Sequence, residues 1–299
     1  MIYTNARMKK LTFTAESEKP RLDAWLSDKL PKVSRSRIKR LIEESLVVID
    51  DQVAKKPSRA VPAGAKVLVS LPAEPVLPQA ESEVEFQIVT TEPGFAIINK
   101  PAGLVVHPGS GNLSGTLVNG LLAKYPALAR VGDDKSRPGI VHRLDKETSG
   151  VMVVARNQKM FAHLKKQFQK RQVQKSYLAV LSGDLESDQG TIEGKIRRSK
   201  HTPIKRELVD EGEGKPSLTR FVVLSRKDGQ TLVEASPKTG RMHQLRVHFA
   251  SLGHPIVGDT LYGPRKQSGP MKLHAQSLKF KNIDGTWRQY EIKPPNNFF

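Results

Sequence analysis

Apolar side chains recur along this chain with two different periods. Leu22, Trp25, Leu26 and Leu30 stand at i, i+3, i+4 and i+8, the spacing of one helix face. Ile38, Leu41, Ile42 and Leu46 repeat that spacing, and Ser34 is placed to cap this second helix. Its opposite face carries Arg35, Arg37, Lys39 and Arg40. A β-rich run follows at Val47, Val48 and Ile49, then a turn at Asp50 and Asp51 and a strand over 67–71. From about residue 85, short strand-like runs alternate with two helices. The runs are 95–98, 151–155, 177–181, 220–224 and 231–235. The first helix, about 157–171, packs Phe161, Leu164 and Phe168 and displays Lys159, Lys165, Lys166, Lys170 and Arg171. The second, about 241–252, ends at Gly253, a suitable C-terminal cap. Elements mixed without a βαβ rhythm predict an α+β fold, with a largely antiparallel central sheet, flanking helices and a small α/β domain in front.

Composition divides the chain further. Residues 72–84 hold three prolines and three glutamates and differ in charge from both neighbours, so they read as an extended linker. The expected domains are then 19–71 and 85–299. Forty-nine Lys and Arg against thirty Asp and Glu give the 299 residues a net charge of +19. An excess so dispersed is no tail, and it points to a polyanionic partner, with nucleic acid foremost. The absence of cysteine removes disulfides, thiolate catalysis and Cys-ligated zinc. Residues 1–7 hold no apolar signal core, and no apolar run approaches the ~20 residues that span a bilayer. The chain is expected in the cytoplasm.

Three segments carry polar groups that local structure does not require. The first is HRLDKETSG at 142–150, where Asp145 sits on a turn leading into an apolar run, amid Arg143, Lys146, Thr148 and Ser149. No second carboxylate stands in a comparable setting. Alone, this turn reads equally as a structural ion pair at the start of a strand. The second is KSYLAV at 175–180, which puts Tyr177 near the start of a strand, where it can stack on a base or exchange a proton. The third runs from Lys238 through TGRMHQLRVH to Gly258, Asp259, Tyr262 and Gly263. Gly240 precedes the helix with exposed N–H groups, and Arg246 lies one turn in. An arginine aimed into a cleft can pair with a carboxylate and keep it ionised. His243 and His248, at i and i+5, point ~140° apart on a helix, so no metal site is expected. The glycines of 109–115 fit neither a dinucleotide fingerprint nor a Walker loop, and no nucleotide cofactor is expected.

Together these blocks, with INKPAGLVVHP at 98–108 and GHPIVGDTLYG at 253–263, closely resemble the RluA family of pseudouridine synthases, in its large-subunit ribosomal RNA type. The resemblance covers roughly 85–295, and the front domain resembles the alpha-L RNA-binding fold. It implies isomerisation of uridines in RNA without metal or cofactor, by a monomer acting on ribosomal RNA or a pre-ribosomal particle. Transfer RNA is the alternative target, and a non-catalytic RNA-binding assembly factor the alternative function. It also implies that Asp145 is the catalytic carboxylate, attacking either the anomeric carbon or carbon 6. Arg246 would pair with it, and Tyr177 would stack on the base and assist loss of the carbon 5 proton. Arg143 would fill the gap left by a flipped uridine, with His142 and Leu144 shaping the wall and Arg241, His243 and Gln244 on the substrate side. The expected RNA contacts are Arg35, Arg37, Lys39, Arg40, Lys165, Lys166, Arg197 and Arg198.

Overall fold

The computed structural model of the protein describes residues 8–72, 77–109, 111–264 and 269–299. The segment 1–7, read above for a signal core, residues 73–76 of the expected linker and Ser110 of the glycine-rich loop lie outside them. The chain forms two compact units, Met1–Pro75 and Val76–Phe299.

The front unit contains β1 (Met8–Thr14), α1 (Leu22–Lys29), α2 (Arg35–Glu43), β2 (Val47–Ile49), β3 (Gln52–Val53) and β4 (Lys66–Pro72). Its sheet runs β1-β4-β2-β3. The helix faces expected from the periodicity are the buried ones, with Leu22, Leu26, Ile38 and Ile42 fully enclosed. The Ser34 hydroxyl accepts the Arg37 N–H at 3.3 Å, as a cap should. Asp50 and Asp51 both take positive φ, 45° and 62°, which turns β2 into β3. Strand β1 lies ahead of the expected start at residue 19, yet it pairs with β4 from Met8↔Pro72 to Thr14↔Lys66. Only Leu11 and Phe13 pack on the core from this strand, so its sequence alternates weakly.

The second unit contains β5 (Gln87–Thr91), β6 (Phe95–Lys100), α3 (Leu117–Lys124), β7 (Ser149–Ala155), α4 (Gln158–Gln169), β8 (Gln174–Ser182), β9 (Gln189–Arg198), β10 (Arg206–Val209), β11 (Lys215–Lys227), β12 (Gln230–Pro237), α5 (Gln244–Ser251), β13 (Leu273–Lys281) and β14 (Trp287–Glu291). Within the described residues the strands form one ten-stranded sheet, β10-β9-β11-β12-β8-β13-β7-β6-β5, with β14 paired to β13. Every ladder is antiparallel except β13 with β7. The five expected strand runs lie in β6, β7, β8, β11 and β12.

Three features depart from the sequence reading. Helix α5 begins at Gln244 rather than near 241, because His243 adopts a left-handed φ of 57° and the Gln244 side chain takes the Arg241 N–H at 3.0 Å. Gly240 is therefore not the helix start. Helix α3 is not announced by the sequence, since Asn119 and Gly120 are weak helix formers. Gly120 is required there because a Cβ would lie 2.7 Å from the Phe86 ring. The described part of the expected linker is not a free spacer. The Asn119 amide donates to Gln79 O at 2.8 Å, Glu81 N–H to Asn119 O at 3.0 Å, and Gly115 N–H to the Glu81 carboxylate at 2.9 Å.

Two large apolar clusters support the large sheet, beside a small one at Leu178, Val180 and Phe298. One joins β6 and β7 to α3 and α4, with Ile97, Val153, Phe161 and Leu164. The other joins β8 and β12 to α5, with Ala179, Val233 and Phe249. All seven residues of β7 are buried, which explains its unbroken apolar run. Where β13 joins β8 to β7, a cleft opens.

Candidate active site

The cleft encloses about 710 Å³, within the range of small-ligand pockets. Tyr177 on β8, Leu273 on β13, the loop before β7, the end of α4 and the turn into α5 all line it. Arg137, Arg143, Arg171, Lys175, Lys238, Arg241 and Arg246 contribute seven cations. Asp145 is the sole carboxylate of the lining among the described residues.

Asp145 is held by its backbone. Leu144 beside it is buried in the β6–β7 core, and the Asp145 carbonyl accepts the Thr148 N–H at 3.2 Å. The next carbonyl, of Lys146, accepts from Gly103 N–H and from Lys100 Nζ, both at 2.9 Å. Lys100 is fully buried and spends its remaining donors on Pro101 O and Leu104 O, each at 2.8 Å. Burial lowers its ammonium to about 8, against the opposing charges of Glu147 and Asp145. The loop is thus tied from behind, and the Asp145 side chain, about 20% exposed, faces the cleft.

Arg246 reaches Asp145 from α5, with Nη1 3.7 Å from Oδ2. Its tighter partner is another carboxylate. Nε and Nη2 donate side-on to Asp259 at 2.7 and 2.8 Å. The expectation that no second carboxylate shares this setting is therefore corrected. Asp259 lies behind Arg246, outside the cleft lining and fully enclosed, which no local spacing announces. Burial pushes the Asp259 carboxyl up, but hydrogen bonds and charge from Arg246 outweigh it and hold the group below its ordinary value. Burial likewise opposes the Arg246 charge, and Asp259 more than restores it.

Tyr177 has its phenol pushed up by burial and by the Asp145 charge, so it stays protonated. His142 stacks on Phe168 with centroids 4.6 Å apart, and its Nε2 accepts the Val153 N–H at 3.1 Å. Burial and the neighbouring Lys175 lower its imidazole to about 3, which keeps it neutral. Lys175 itself is lowered to about 8 by burial. Arg143 is exposed at the mouth, with Nη1 3.4 Å from Nε2 of His107.

The turn into α5 is mostly architectural. Gln244 is buried, and its amide oxygen accepts from Thr239 Oγ1 at 2.7 Å and Arg241 N at 3.0 Å. Its amide nitrogen donates to Leu218 O and Thr219 Oγ1. The Gln244 side chain therefore has its hydrogen bonds committed within the protein. Arg241 donates through Nε to Pro216 O at 3.1 Å. The Nδ1 of His243 meets the Tyr262 hydroxyl at 2.8 Å, while His248 turns away to Ser217. Among the described residues no group of three His, Cys, Asp or Glu is placed to hold a metal.

The basic surface candidates are thinned by local pairing. Arg35 lies 3.3 Å from buried Asp23, Arg40 3.9 Å from Glu44 and Arg197 2.6 Å from Glu207, while Lys165 meets Asp133. Arg198 donates to Pro203 O at 2.7 Å. Arg37, Lys39 and Lys166 have no carboxylate partner among the described residues. Lys100, His107, Lys175, Asp259 and Tyr262 stand inside the sequence blocks, yet their spacing assigns them no role.

Residues 94–251 match the family model described as RNA pseudouridylate synthase, and residues 20–67 match the S4 domain. An uncharacterised RNA pseudouridine synthase of Aquifex aeolicus is 40% identical, over 96% of this chain and 94% of that protein. Ribosomal large subunit pseudouridine synthase D of Neisseria meningitidis serogroup B is 39% identical, over 97% of this chain and 79% of that protein. Among solved structures, human RNA pseudouridylate synthase domain containing 1 aligns with a TM-score of 0.60 and 29% identity, covering 74% of this chain and 87% of that one.

Proposed function

Since this chain belongs to the RNA pseudouridine synthase family, a family of isomerases, we propose that it converts uridines of large-subunit ribosomal RNA to pseudouridine with Asp145 as the catalytic carboxylate. One observation carries the assignment of Asp145. It is the sole carboxylate among the described residues of a cleft lined by seven cations. The cations suit the phosphates around a target uridine, while the carboxylate is left for chemistry.

The reaction breaks the bond from ribose C1′ to N1, joins C1′ to C5, removes a proton from C5 and returns one to N1. Attack by Asp145 at the anomeric carbon and attack at carbon 6 both require its lone pair. The fixed backbone of 144–148 aims it, and positioning of this kind removes much of the entropic cost of the encounter. Tyr177, kept as a neutral phenol, supplies a face for the uracil and a hydroxyl beside Asp145. A base inside a helix exposes neither its ring faces nor its anomeric carbon, so the uridine must leave the stack at a cost of a few kcal/mol. We assign the gap to Arg143, whose exposure at the mouth and contact with His107 support that reading.

The relatives named for the large ribosomal subunit support the choice of RNA, and the S4 match supports RNA binding by the front unit. We place the work in the cytoplasm, by a monomer, on free ribosomal RNA or a pre-ribosomal particle. No helix among the described residues is long and apolar enough to cross a membrane. Asp145→Asn should abolish isomerisation and leave RNA binding within a few-fold. Mapping pseudouridines in RNA from cells with and without the gene names the target. Turnover by the Asn variant would exclude Asp145 as catalyst, and unaltered ribosomal RNA would exclude the substrate.

A further inference from the structure

We propose that Asp259 is a positioning residue that limits how tightly Arg246 holds Asp145, leaving the catalytic carboxylate attracted but free to react. The inference rests on the reading of Asp145 given above. A guanidinium beside a single carboxylate tends to form two parallel hydrogen bonds with it. Here that side-on edge is already taken. Arg246 gives Nε and Nη2 to Asp259 at 2.7 and 2.8 Å and presents Nη1 to Asp145 from 3.7 Å, beyond hydrogen-bond length.

Asp259 cannot easily yield that position. Its Oδ1 also accepts the N–H groups of Leu261 and Tyr262, at 3.0 and 3.1 Å, and its side chain is fully enclosed. The guanidinium lies 5.1 Å from the centroid of the Tyr262 ring, and the Tyr262 hydroxyl meets His243 Nδ1 at 2.8 Å. Arg246 is therefore fixed along its edge by one carboxylate and across its face by one ring. The consequence for Asp145 is chemical. A carboxylate locked into two short hydrogen bonds has its lone pairs engaged, whereas one with no cation beside it has nothing to steady its orientation. Nη1 at 3.7 Å supplies the field without taking the lone pair.

Asp259→Asn removes the charge and sets an N–H₂ group against the donors of Arg246, releasing the guanidinium toward Asp145. With RNA substrate, kcat is expected to fall at least ~10-fold while the RNA Kd stays within about threefold. Circular dichroism and a thermal melt establish that the variant is folded. The decisive measurement is a double-mutant cycle with Arg246→Ala. If the damage passes through Arg246, the double variant loses no more than the worse single variant. Additive losses in log kcat, or a folded Asp259→Asn with the wild-type rate, overturn the inference. Should Asp259→Asn not fold, Arg246→Lys decides. A lysine keeps the charge but cannot hold Asp259 side-on and face Asp145 as well, so a ~10-fold or greater loss is expected and a wild-type rate overturns the inference. Wild-type enzyme and Asp145→Asn are assayed in parallel. Turnover by Asp145→Asn overturns the underlying reading too, whereas an inert Asp145→Asn beside additive Asp259 losses overturns this inference alone.

Discussion

Side chains in the cleft differ most in what burial does to their charge. Lys175 is lowered from 10.5 to about 8 by burial alone. Below pH 8 the folded protein carries that charge at a cost, and the cost fades as pH rises from 8 toward 10.5, because the unfolded chain there binds more protons. Lys175→Met should therefore raise the thermal midpoint at pH 7 by roughly 2–4 °C, the shift about 1 kcal/mol gives a chain of this size. The advantage should shrink in melts at about pH 9.5, where the linkage has largely run its course; an equal gain at both values would show that the charge is not the cause. Asp259 has the opposite sign. Its carboxyl is held below the ordinary 3.8, so its contribution is complete above about pH 5 and is lost as pH falls through the depressed value. The gap between melts of wild type and Asp259→Asn should be constant above about pH 5 and begin to narrow as pH falls below about 4, and a gap that stays constant down to about pH 3 would contradict the pairing. Arg246→Ala should lower kcat more than RNA affinity, and a pure binding defect would contradict its place beside Asp145.

Strand β7 and its neighbour β13 hold the Asp145 loop at the interior of the sheet. They are the one parallel pair among the described residues, matched at His274↔Ser149 and Ala275↔Gly150. Gly150 has φ of 114°, and a Cβ there would lie 2.2 Å from the Ala275 carbonyl oxygen. Gly150→Ala should cost roughly 2–3 kcal/mol in denaturant titrations through strain and weakened pairing. A change under about 0.5 kcal/mol would mean the two strands can separate without harm. Ser149 reinforces the junction through its hydroxyl, 2.9 Å from Nδ1 of His274. None of this is legible locally. The apolar run of β7 announces a buried strand, but the nine residues of β13 mix polar and apolar positions and lie over a hundred residues further on.

A net charge of +19 is spread over both units of the chain. Asp145, Tyr177 and Arg246 all lie in the second, while the S4 match lies in the first. Arg37 and Lys39 are the cations of α2 without a carboxylate partner among the described residues, so replacing both by Glu should weaken RNA binding and leave kcat unchanged. The slope of log affinity against log salt should become shallower by about 0.7 for each RNA phosphate no longer neutralised. An unchanged slope would remove α2 from the interface. Hydrophobic periodicity and net charge were enough to fix α1, α2, α4, the main strand runs and the class of partner, because those properties reside in neighbouring residues. The sequence blocks also carried the carboxylate, the tyrosine and the arginine. Folding decided which charges remain available, since Arg35, Arg40, Lys165 and Arg197 each meet an acid. It alone placed Asp259 behind Arg246 and Lys100 beneath the Asp145 loop. Those pairings join segments that are not neighbours along the chain, and a one-dimensional pattern records the face a residue presents but not the partner that will meet it.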